Sequence, residues 1–186
     1  MLATLPLVPY SIEAPFLQWG LDFIGEIVQF FNNQHRWILI ATDYFTKWIE
    51  AIPVKNAIDT VAMRFIKENI LFRFGCLRKI VTNNAKAYNN IKMIEFFHKY
   101  QITLHHSTPD YPQGNGLAES SNKSLIKVIK KVFADHKISW DSHLKYAIWS
   151  KRVSPKRSTG KSPFQLVYGI EAIFPTHLAF RVMKFW

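Results

Sequence analysis

Apolar and β-prone residues dominate positions 19–30, a polar turn follows at Phe31-Asn32-Asn33-Gln34-His35, and Trp37-Ile38-Leu39-Ile40-Ala41 reads as a second strand. Asp43-Tyr44-Phe45-Thr46 is a short connection to a third strand from Lys47 to Ile52, which Pro53 is expected to close. Links this short make the three strands antiparallel neighbours, because a parallel crossover needs about a dozen residues or more. The period then changes. Asp59 or Thr60 is placed to cap a helix whose apolar positions Val61, Phe65, Ile66, Ile70 and Leu71 recur at helical spacing, with its end near Gly75. A brief strand over 77–82, a second helix over 90–100 and a strand over 102–105 complete the order. A three-stranded meander followed by alternating strands and helices specifies an α/β fold with a mixed, helix-covered sheet.

The next stretch, Tyr111-Pro112-Gln113-Gly114-Asn115-Gly116, reads as a mobile loop, and a long helix is predicted over 117–134. At about 100° per residue, Leu117, Leu125, Val128, Ile129 and Val132 share one half of that helix, while Glu119, Lys123, Lys127, Lys130 and Lys131 share the other. A solvated face with a Glu-Lys pair one turn apart satisfies this pattern unaided. A further helix is expected over 140–151, then a loop over 154–161, and from Ser162 a short helix and irregular strand. Neither repeats nor low-complexity tracts occur. The division is therefore an extended lead-in over 1–15, a core over 16–160 and a C-terminal extension over 161–186.

Composition narrows the function classes. The chain has 186 residues, 48% hydrophobic and 20% charged, which suits one globular domain. It contains no apolar run of about 18 residues, and no basic stretch, apolar stretch and cleavage site in the order of a secretion signal. A lone cysteine, Cys76, excludes an internal disulfide and a Cys-rich zinc module. The net charge is +11, and it is unevenly placed. Eleven basic and two acidic residues fall between Lys123 and Lys161, whereas the remainder is nearly neutral, so one segment is built to meet a polyanion. Within it, Lys151-Arg152-Val153-Ser154-Pro155-Lys156-Arg157 is expected to be a DNA-contacting loop, with a nuclear import signal as the alternative.

Two acids stand in settings that favour a cation. Asp22 interrupts an otherwise apolar strand, where a carboxylate costs free energy unless paired or metal-bound, and Glu119 lies on the polar face of the long helix. The histidines His105 and His106 have no metal-ligand spacing.

The blocks Trp19-Gly20-Leu21-Asp22-Phe23-Ile24-Gly25 and Ala41-Thr42-Asp43-Tyr44-Phe45-Thr46-Lys47-Trp48 resemble the integrase catalytic core of gypsy-type LTR retrotransposons. So do 106–119, from His106-Ser107-Thr108-Pro109 to Gly116-Leu117-Ala118-Glu119, and Ser162-Pro163-Phe164-Gln165-Leu166-Val167-Tyr168-Gly169, all four in family order. The resemblance implies an RNase H-like fold, with a five-stranded sheet made of the antiparallel meander and two parallel strands, and an Asp, Asp, Glu triad with 35 residues between the last two acids. Asp22 matches the first acid and Glu119 the third. The second position is Asn83, with 35 residues between it and Glu119, so the register is kept and the acid is lost.

By resemblance, Mg²⁺ (or Mn²⁺) bridges the acids and the scissile phosphate and activates water or a 3′-hydroxyl for DNA 3′-end processing and strand transfer. An amide brings one neutral oxygen and no charge. Losing a unit charge about 4 Å from its partner costs roughly 4 kcal/mol at an effective dielectric of 20, about a thousandfold in rate. The expected protein is an integrase core by descent that is impaired in catalysis; the alternative is a non-catalytic nucleic-acid-binding or interaction module. Gln113, Asn115, Lys123, Lys127 and Lys130 are the expected DNA contacts. The resemblance further implies homodimerisation, nuclear or virus-like-particle location and no membrane. The family's zinc module and C-terminal DNA-binding region find no room here, which makes the chain a fragment or truncated product by expectation.

Overall fold

The computed structural model describes residues 14–27, 35–83, 87–106, 126–127 and 140–173. Five strands, β1 (Gln18–Gly25), β2 (Trp37–Asp43), β3 (Ile49–Val54), β4 (Lys79–Thr82) and β5 (Thr103–His106), form one sheet in the order β3-β2-β1-β4-β5. β1 pairs antiparallel with β2 and β2 antiparallel with β3, whereas β1 with β4 and β4 with β5 are parallel. This is the mixed sheet the sequence predicts. The helices are α1 (Asp59–Phe65), α2 (Phe72–Phe74), α3 (Ile91–Lys99), α4 (Trp140–Val153) and α5 (Pro163–Tyr168).

Three local expectations need correction. Pro53 lies inside β3 and opposes Ile38. A proline is tolerated there because β3 is an edge strand, where a missing N–H leaves no second neighbour unpaired. The first helix is capped by neither expected side chain: Ile58 occupies the cap position, and Asp59 accepts instead from the adjacent Thr60 N–H at 2.6 Å. Its middle, Ile66–Leu71, is a π-helical stretch that continues α1 into α2, with Ile66 and Ile70 buried. Gly75 ends it at φ 86°, as expected of a residue without Cβ. Of the predicted long helix, Ile126 and Lys127 are described and helical.

Strand alternation sends side chains to two cores. Trp19, Leu21, Leu39 and Ala41 pack with Ala62, Phe65, Ile66, Ile70, Met93 and Phe97 from α1, the π-helical stretch and α3. Ile24, Ile38, Ile40 and Ile49 pack on the opposite face with Trp140, Leu144, Ala147 and Ile148 of α4, and Ile126 packs against this second cluster. Asp22 opposes Ile40 and stands two residues before Ile24, so it shares the α4 face of the sheet.

Two buried polar knots fix the meander and the tail. Asp43 accepts hydrogen bonds from Thr46 N–H at 2.7 Å, Thr46 Oγ1 at 2.6 Å and Phe16 N–H at 3.0 Å, which closes the turn between β2 and β3. Burial pushes its carboxyl above the usual range against the pull of those donors. At the β3 edge, Glu50 pairs with Arg152 at 2.7 Å and Arg73 at 2.6 Å and accepts from Trp48 Nε1 at 2.8 Å. Arg152, expected among the DNA contacts, is thus an internal tie between α4 and the sheet.

Candidate metal and nucleic-acid site

The parallel half of the sheet brings the expected site residues to one edge. β1, β4 and β5 run in the same direction, so their carboxyl ends open together, the place where α/β sheets collect functional groups. The β1–β4 register ends with Leu21 opposite Thr82, and one step further along it Asp22 meets Asn83, 61 residues away in the chain. Asn83 Nδ2 donates to Asp22 Oδ1 at 3.0 Å. A carboxylate only accepts, so the amide's NH₂ end is the one that faces it.

Behind this pair, on the opposite face of the sheet, the neighbouring residues are packed. Tyr88 is fully buried and stacks on Phe23, the residue after Asp22, with ring centroids 5.4 Å apart. Burial, and secondarily the Asp22 charge, raise the Tyr88 phenol far above its ordinary range. Its hydroxyl is buried with no hydrogen-bond partner among the described residues. One strand over, Thr82 Oγ1 and His106 Nδ1 lie 3.3 Å apart. Beside His106, His105 is held below the usual imidazole range by partial burial, then by the charges of Lys79 and His106.

Of the residues singled out in the sequence, Asp22 and Asn83 are therefore brought together. Lys127 is described and exposed, beside Ile126 of the α4-side core. Glu119, Gln113, Asn115, Lys123 and Lys130 lie outside the described residues. Sequence reasoning passed over Tyr88 and the Thr82–His106 contact. A tyrosine in the turn after β4 has no period to betray it, and His106 was judged by ligand spacing along the chain rather than across a parallel sheet.

The donor set can be tested against a pair of divalent ions. Hard cations need oxygen ligands and at least one or two carboxylates. Here one carboxylate oxygen accepts from an N–H, and its neighbour is neutral. No group of three or more His, Cys, Asp or Glu able to hold a metal occurs among the described residues. The Asp22–Asn83 pair does not fit a two-metal centre as it stands.

A central antiparallel meander extended by two parallel strands, with an acid of β1 facing the residue after β4, defines an RNase H-like core of the integrase kind. The family model described as Integrase core domain matches residues 13–112, more than half of the chain, and the chain belongs to that family. It is 27% identical over 158 residues to a Gag-Pol polyprotein of avian reticuloendotheliosis virus, covering 85% of this chain and 14% of that protein. It is 24% identical over 165 residues to the Tf2-3 transposon polyprotein of Schizosaccharomyces pombe, covering 88% of this chain and 12% of the polyprotein. The chain thus spans about one seventh of the curated relatives it matches. Its fold is shared with a chain in the solved simian T-cell lymphotropic virus intasome in complex with PP2A regulatory subunit B56 gamma, at a TM-score of 0.72 and 21% identity, covering 87% of this chain and 57% of that one. Among the described residues no helix is long and apolar enough to cross a membrane.

Proposed function

We propose that this chain is the catalytic-core portion of a gypsy-type retrotransposon integrase, acting on element and host DNA, whose 3′-end processing and strand transfer are impaired at one residue. The observation that carries the reading is the contact between Asp22 and Asn83, the first two positions of the acid triad, in which an amide donates where a second carboxylate belongs. Family membership supports an integrase reaction class, for which Mg²⁺ or Mn²⁺ is the proposed divalent metal, and the amide at position 83 is the proposed source of the impairment. Glu119 completes the triad in this reading. Partial retention of the machinery is consistent with an otherwise intact scaffold, since β1, which carries Asp22, and β4, which ends just before Asn83, are in register.

A strand-transfer assay on labelled duplex DNA tests this, comparing the wild-type chain, Asn83→Asp and Asn83→Asp combined with Asp22→Ala. The expected result is at least about a thousandfold more product from Asn83→Asp than from wild type, abolished by the second substitution. Robust wild-type activity that survives Asp22→Ala overturns the assignment.

The uneven charge favours a second reading on its own account. The basic residues between Lys123 and Lys161, the internally paired Arg152 apart, equip the chain to bind nucleic acid without acting on it. Gln113, Asn115, Lys123, Lys127 and Lys130 are the contacts proposed for DNA in either case, with a homodimer in the nucleus or a virus-like particle as the working form.

A further inference from the structure

We infer that Asn83 serves in this chain as an internal substitute for a cation: its amide satisfies the Asp22 carboxylate, so the carboxyl edge of the sheet closes and holds its shape without metal. The inference rests on the reading that positions 22 and 83 are the family's paired acids, but its consequence concerns folding rather than catalysis.

The geometry makes the requirement concrete. Parallel pairing of β1 and β4 brings positions 22 and 83 side by side, because Leu21 is paired with Thr82 immediately before them. Both lie half-buried, Asp22 on the α4 face of the sheet. Two carboxylates held side by side in such surroundings repel, and the repulsion is relieved by a cation between them or by a proton taken up by one of them. A carboxylate and an amide attract through a charge-assisted hydrogen bond, observed here at 3.0 Å. The amide N–H takes up one of the carboxylate's acceptor positions. Replacing acid by amide therefore removes a ligand and, in the same step, removes the need for the ion.

The discriminating experiment is thermal unfolding of the full 186-residue chain at one neutral pH, in EDTA and in about ten millimolar MgCl₂ or MnCl₂. Wild type is expected to melt at the same temperature, within about 1 °C, in both. Asn83→Asp is expected to melt about 5–10 °C lower in EDTA and to regain most of that with metal, a shift that a few kcal/mol produces in a domain of this size. Should Asn83→Asp fold too poorly to measure, the exchanged pair Asp22→Asn with Asn83→Asp, which keeps one amide and one carboxylate, is expected to melt like wild type in EDTA. A wild-type midpoint that climbs with metal as steeply as that of Asn83→Asp overturns the inference. So does an Asn83→Asp chain as stable in EDTA as wild type, or an exchanged pair that melts well below wild type. These outcomes are read without any DNA substrate. Failure of the catalytic reading shows instead as absent strand transfer by an Asn83→Asp chain whose melting still responds to metal.

Discussion

Arg152 lies with its guanidinium 4.3 Å from the centre of the Trp48 ring and 2.7 Å from a carboxylate oxygen of Glu50, and its Nε donates to the Ile49 carbonyl at 2.9 Å. The most basic heptad of the chain thus contributes one of its cations to the interior, stacked on an aromatic face and paired with an acid. Glu50→Ala would leave that guanidinium half-hidden and unpaired. A loss of about 3–5 kcal/mol is expected, read as a lower urea midpoint with the slope unchanged. Changing Arg157, exposed on the same segment, to Ala is expected to leave the unfolding free energy within about 0.5 kcal/mol.

Lys127 is exposed beside Ile126, which anchors it to the face that carries Asp22. If DNA crosses that face, Lys127→Ala weakens duplex binding uniformly across sequences and lowers the slope of log affinity against log salt by about 1. Fluorescence anisotropy over a salt series reads both quantities. An unchanged slope removes Lys127 from the contacts.

Lys156 is half-buried, and burial, helped by the neighbouring Lys151 charge, pushes its ammonium down to about 8. The unfolded chain, with an ordinary lysine near 10.5, holds more protons than the folded one between these two values, so stability should climb as pH rises from about 8 to about 10.5. Lys156→Met should flatten that climb and raise stability at pH 7 by on the order of 1–2 kcal/mol after allowance for partial solvent screening. Parallel pH profiles for the two proteins would contradict it.

Tyr88 buries a hydroxyl without a partner among the described residues beside the Asp22 charge. Tyr88→Phe keeps the ring on Phe23 and deletes only that oxygen. A gain of about 1 kcal/mol in urea unfolding is expected, whereas a loss would reveal a hydrogen bond made by the hydroxyl.

The meander was legible because its alternation is strict and its links are short: Ile38 and Ile40 turn one way, Leu39 and Ala41 the other, as two separate cores require. Asp22 stood out locally as an acid in an apolar strand, but Asn83 and its pairing with Asp22 were legible only through the family resemblance, since nothing local to either announces a partner 61 residues away. The cap of the first helix was not, because Asp59 sits one position inside the turn it was expected to cap. Nor was the fate of Arg152. Charge counted along a sequence says how many cations a segment has, and only the third dimension says that Glu50 claims one of them.

β1 is the middle strand, joined to β2 within the first 43 residues but flanked on its other side by β4, which begins at Lys79. A chain emerging from the ribosome at about 5–20 residues per second therefore carries Trp19 and Leu21 on a strand with one naked backbone edge for some seconds before its neighbour exists. Such an edge is a template for other chains. Half-made copies interrupted before Lys79 are expected to be stickier than finished ones, whichever residue stands at position 83.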